Sequence, residues 1–142
     1  ILIAGLILYF LNKNTTKKQL PLEVSKTEIG LATIPAGLPA NLPSEAGSIV
    51  LQNYESRTND GRLQSTRQIT TKQEPRAALD LYINFFKTLG YEGGFSETAS
   101  IANEQQVAQM KKDKNRLMIV ANPSPSGAQS STVELTLTQP TQ

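Results

Sequence analysis

The chain has 142 residues, no cysteine and no histidine, and its 14 basic and 12 acidic side chains leave a net charge of +2. That length holds one domain of about 100 residues beside flanking segments. The missing residues exclude a disulfide framework, a thiolate metal site, a thiol nucleophile, the usual neutral-pH base and the commonest ligand for zinc, copper and iron, while so mild a charge argues against a nucleic-acid partner.

The longest apolar stretch comes first, from Ile1 to Leu11. Ile1, Leu2, Ile3, Leu6, Ile7, Leu8, Tyr9, Phe10 and Leu11 form a segment with no charge, and Lys13, Lys17 and Lys18 follow it. Aromatic residues beside lysines suit a membrane interface, so residues 1–12 are expected to form an apolar anchor helix. Eleven helical residues cover about 17 Å against a hydrocarbon core of about 30 Å. The anchor is therefore expected to be the end of a longer single-pass transmembrane helix, or to pack against other apolar helices in an assembly.

Residues 13–47 hold no sustained period and read as a polar, then proline-rich linker. Pro21 lies upstream, and Pro35, Pro39 and Pro43 follow at four-residue steps in the stretch from Ile34. Proline removes backbone donors and biases the preceding residue to extended geometry. Leu38 and Leu42, each before a proline, are expected to lie against the domain as a latch. Leu22–Lys26 alternates in the manner of an edge strand.

The folded domain is expected over residues 48–139, with 140–142 as a tail. Ser48–Arg57 and Arg62–Thr71 read as a hairpin closed by Thr58-Asn59-Asp60-Gly61, since Asp-Gly between strand-like runs favours a tight turn. Ile49 and Leu51 are expected on the inner face of the first strand, with Leu63 and Ile69 on that of the second. Pro75–Leu89 reads as a helix: proline suits its first position, and Leu79, Tyr82, Ile83, Phe86 and Leu89 form an apolar stripe. Gly90 is placed to stop it in a left-handed conformation, with Tyr91 folding back on the last turn. Strands are then expected at Phe95–Ile101, Gln106–Lys112, Arg116–Asn122 and Thr132–Thr138. The order predicts an α+β domain of two layers, one helix on an antiparallel sheet in the order ββαββ(β)β.

The Leu-Pro-rich entry (Ile34–Pro43), the hairpin, the helix end from Leu81 to Tyr91 and the two closing strands resemble small α+β modules of membrane-anchored or lipid-anchored bacterial surface proteins. The resemblance implies that fold and a surface location, and carries no catalytic residues. The general layout is also similar to a type IV pilin. Gly5 departs from that family's glutamate at the fifth mature position, and Pro21 breaks the long helix.

No chemistry stands out. Serines and lysines lie in no recognisable catalytic context, and Glu92 and Glu97 beside Gly93-Gly94 read as solvated carboxylates beside a turn. Asn59-Asp60-Gly61 lacks the alternating acids of a calcium loop. Lys111, Lys112, Lys114 and Arg116 form the domain's charge cluster, which reads as a soluble hairpin turn and alternatively as a contact for an anion, whether phosphate, lipid headgroup or anionic cell-wall polymer. No cofactor, metal or small-molecule substrate is expected, and no enzymatic activity. The expected function is a non-enzymatic, membrane-anchored cell-surface domain that binds or scaffolds another envelope component. The alternative is a structural subunit of a surface filament, polymerising with copies of itself through the N-terminal apolar helix. The expected partners are the lipid bilayer or apolar helices of an assembly, together with an envelope protein or further copies of the chain.

Overall fold

The computed structural model describes residues 23–101, 104–124 and 131–140. Seven strands, β1 (Glu23–Glu28), β2 (Val50–Thr58), β3 (Leu63–Thr71), β4 (Glu92–Phe95), β5 (Gln106–Lys112), β6 (Asn115–Pro123) and β7 (Ser131–Gln139), form one sheet in the order β1-β2-β3-β7-β6-β5-β4. All six pairings are antiparallel. The single helix among the described residues, α1 (Pro75–Thr88), has 14 residues.

This corrects the expected fold class. The described residues are dominated by a seven-stranded antiparallel sheet with one short helix against it, rather than the expected α+β arrangement, and they include no N-terminal apolar helix. The anchor residues Ile1, Leu2, Ile3, Leu6, Ile7, Leu8, Tyr9, Phe10 and Leu11 lie outside the described residues. Among those described, no helix is long and apolar enough to cross a membrane, which corrects the single-pass transmembrane expectation. The physical reason is plain for α1. Its 14 residues reach about 21 Å, and Arg76, Asp80, Asn84 and Lys87 interrupt any continuous apolar surface.

Both strands of the first hairpin end where the Asp-Gly turn begins. Gly61 has φ +81°, its amide donates to the Thr58 carbonyl at 2.9 Å, and the Thr58 amide donates to the Arg62 carbonyl at 3.0 Å. The helix ends at a glycine cap of the Schellman type. Gly90 has φ +88°, and the Tyr91 amide reaches the Phe86 carbonyl at 3.1 Å. That reversal lays the Tyr91 ring edge-on against Phe86, with centroids 5.2 Å apart.

One face of the sheet is sealed by two different covers. α1 lies over β4, β5, β6 and β7, burying Leu79, Tyr82, Ile83 and Phe86 against Ala108, Met110, Leu117, Ile119, Val133, Leu135 and Leu137. Beside it, the segment between β1 and β2 lies across β2 and β3 as a strap. Pro35 and Leu38 are buried there, and Ile34 and Leu42 pack against the core. Prolines forbid a second helix in this position, so the strap's backbone polar groups have to be satisfied by the sheet beneath. Asn53 Nδ2 donates to the Gly30 carbonyl at 2.9 Å and to the Thr33 carbonyl, and Ser65 Oγ donates to the Ala36 carbonyl. Arg67 donates to the Leu31 and Thr33 carbonyls at 3.4 and 3.2 Å.

Several boundaries differ from expectation for stated reasons. The edge strand expected at Leu22–Lys26 lies at Glu23–Glu28, because Lys26, Thr27 and Glu28 pair with Ser56, Glu55 and Tyr54. Ile49 and Leu51 point outward, 57% and 47% exposed, because the register shifts between Val50 and Gln52 and gives the inner position to Val50. The expected strand Phe95–Ile101 stops at Phe95, where Ser96–Ser100 turns away and the Ser100 amide returns to the Ser96 carbonyl.

Candidate functional site

Among the described residues no segment lies over the centre of the second face of the sheet, and the composition of that face follows from the period of two. On β6, Leu117, Ile119 and Ala121 turn to the core, while Arg116, Met118 and Val120 turn to the open face. On β7, Val133, Leu135 and Leu137 are buried, and Thr132, Glu134, Thr136 and Thr138 face outward. The near-continuous apolar run Leu117–Ala121 is therefore not buried on both sides. Met118 is 45% exposed.

Register assembles these side chains into transverse rows. Glu92, Lys111, Arg116, Thr138 and Gln64 stand opposite one another across β4, β5, β6, β7 and β3. The adjacent row is Gly94, Gln109, Met118, Thr136 and Thr66. Gln64 Nε2 donates to Thr138 Oγ1 at 3.4 Å, and the Thr66 and Thr136 hydroxyls lie 3.4 Å apart. Gln64, Glu92, Gln109, Lys111, Arg116, Met118, Thr136 and Thr138 line an open trough of about 690 Å3.

The structure divides the basic cluster that the sequence groups together. Lys111 and Arg116 are direct cross-strand partners at the head of the trough. Lys112 turns the other way, and its Nζ donates to the Leu89 carbonyl at 2.7 Å, where a cation suits the helix C-terminus. Lys114 is exposed in the β5–β6 turn beside Asp113, whose φ is +53°. Of the four residues, two belong to the trough, one to the helix end and one to the turn. The trough as a unit was not foreseen. Its signal was the outward series Thr132, Thr136 and Thr138 set beside Arg116 and Met118, which becomes a surface only once β6 and β7 are paired.

A second hollow, about 650 Å3, lies at the start of α1 and is lined by Glu74, Arg76, Phe95, Glu97, Ser100, Glu104 and Gln106. The Arg76 guanidinium lies 3.8 Å above the Phe95 ring and pairs with Asp80 at 3.2 Å, so this cation is held by the chain itself. Glu97 belongs to this hollow and Glu92 to the trough, so the two carboxylates flanking the di-glycine do not form one site. In the hairpin turn, the Asp60 carboxyl is held down to about 2 by the Thr58 hydroxyl and by Arg62, 2.8 Å away. It is committed to the turn. Among the described residues no group of three His, Cys, Asp or Glu side chains is placed to hold a metal ion.

No family model matches the chain, and neither a curated protein nor a solved structure matches it.

Proposed function

We propose that the chain is a non-enzymatic binding or scaffolding domain of the cell envelope, and that it engages its partner through the open face of the sheet. The observation that carries this reading is the asymmetry of the two faces. One is sealed by α1 and the strap, while the other presents an open trough of hydroxyl, amide and cationic side chains. A surface of that kind recognises by hydrogen bonds and charge, and it needs no acid–base machinery. The surface rich in serine, threonine, glutamine and asparagine suits an extracytoplasmic setting, as does the resemblance to small bacterial surface modules.

A photo-crosslinking amino acid at position 118, in the full chain and in native envelopes, tests the reading. Position 84, exposed on the outer side of α1, serves as the control. A discrete adduct formed from 118 and not from 84 is expected. Equal labelling from both positions would refute a binding face on the sheet. Adducts between copies of the chain would instead favour the polymer subunit.

A further inference from the structure

Resting on the reading of the open face as a binding surface, we propose that the trough takes an acidic glycan, a polyhydroxylated chain bearing carboxylate or phosphate groups. Lys111 and Arg116 stand directly opposite each other on β5 and β6. Like charges in that relation repel. Neither side chain has an ion-pair or hydrogen-bond partner among the described residues, although Glu92 is Lys111's neighbour in the same row. An anion seated between the two cations removes the repulsion and gains charge-assisted hydrogen bonds.

The rest of the trough narrows the class of ligand. Apart from Glu92 and Gly93 of the edge strand β4, it lies on β3, β5, β6 and β7, strands paired on both sides, so their backbone is committed to the ladder and recognition falls to side chains. This disfavours an extended peptide, which binds most readily by main-chain pairing at a sheet edge. The side chains offered beside the cations are Gln64, Gln109, Thr136 and Thr138, amides and hydroxyls that both donate and accept, as sugar hydroxyls do. Met118 supplies an apolar surface among them for the C–H face of a sugar ring. Among the described residues no aromatic ring lines the trough, so a nucleic-acid strand finds none there on which to stack its bases.

The test is titration of the isotopically labelled full chain, followed by amide shifts. The probes are oligogalacturonate, glycerol-phosphate oligomers, neutral dextran oligomers and polyglutamate of matched charge. One or both acidic polyhydroxylated probes should move the amides of Gln109, Met118 and Thr136, and the pair tells carboxylate from phosphate. The double charge reversal Lys111→Glu/Arg116→Glu should weaken that binding at least tenfold, while Lys114→Glu should change it less than twofold. Equal binding of polyglutamate would reassign the trough to acidic peptides, and equal binding of dextran would remove the role of charge. Either result overturns the proposal, as would an equal loss on Lys114→Glu. If position 118 captures a partner in envelopes and no acidic glycan shifts the trough, the binding face stands and the glycan falls.

Discussion

Replacing Asn53 by alanine should release the strap from the sheet. Asn53 is 1% exposed and is the polar hub beneath the strap. Its amide donates to the Gly30 and Thr33 carbonyls, and its Oδ1 accepts from Arg67 at 3.2 Å. A neutral hydrogen bond contributes about 1 kcal/mol net and one to a charged group about 1.5–3 kcal/mol. Neither carbonyl is orphaned by the change, because Gly30 still accepts from the Thr33 amide at 2.8 Å and Thr33 still accepts from Arg67. No further penalty for a stranded carbonyl is therefore added, and the three lost bonds sum to about 3.5–5 kcal/mol. Against a typical total of about 5–15 kcal/mol, urea unfolding followed by circular dichroism resolves such a change. Cleavage within residues 29–48 by a non-specific protease should quicken at the same time. Arg67→Ala should couple to Asn53→Ala by at least about 0.5 kcal/mol, because the two share the Thr33 carbonyl. An Asn53→Ala chain within about 0.5 kcal/mol of wild type, a margin typical of surface changes, would refute a strap held by the sheet.

Phe86→Ala should cost about 3–5 kcal/mol, the range for a buried phenylalanine, since this side chain is fully enclosed and touches Tyr91 and Phe85 edge-on; a melting curve unchanged within a degree or two would place the core elsewhere. Gly93→Ala should disrupt the β4–β5 pairing, because its φ is +112° and a Cβ there would lie 2.3 Å from the Gln109 carbonyl oxygen. Gly94→Ala, with the nearest atom 3.9 Å away, should melt close to wild type. The Glu45 carboxyl is held below its ordinary value of 4.5 by the Thr71 hydroxyl and the Lys72 amide. Its contribution is therefore complete at neutral pH and lost as pH falls below about 4.5 through the folded value, so Glu45→Gln should flatten the acid limb of a stability–pH profile. Tyr82, pushed up to about 12 by burial and the nearby Glu45, donates to the Pro43 carbonyl at 2.8 Å. Stability from that group is present below pH 10 and lost as pH rises towards 12, and Tyr82→Phe should remove this alkaline loss along with about 1 kcal/mol.

Much of the layout was legible because local chemistry dictated it. The Asp60-Gly61 turn, Pro75 at the head of α1 and Gly90 at its end each need a particular residue at one position, and that need is visible without tertiary context. The faces of the β2–β3 hairpin are not legible from alternation. Asn53, Ser65 and Arg67 look like a solvated side, yet the first two are buried and all three bond the strap. Polarity there reflects the needs of an overlying backbone that prolines keep out of a helix. Periodicity cannot distinguish water from a peptide carbonyl as the acceptor. The exposure of Ile49 and Leu51 was hidden for a related reason, since the register shift beside Val50 reverses the alternation on which the reading depended.

The same reasoning bears on the open face. Strands β2 and β3 show that polar residues pointing from this sheet can be there to meet a second chain of polar groups, and that the strap supplies them on the sealed side. On the other side, Gln64, Gln109, Thr136 and Thr138 offer a similar set of donors and acceptors with no segment of the described residues lying over the trough. The difference between the faces is charge. Arg67 on the sealed side is satisfied by carbonyls, whereas Lys111 and Arg116 on the open side stand together without a partner among the described residues. Carbonyls suffice for the first. On the reading proposed above, the second pair takes an anion, and that would make the trough a specific rather than a merely polar surface.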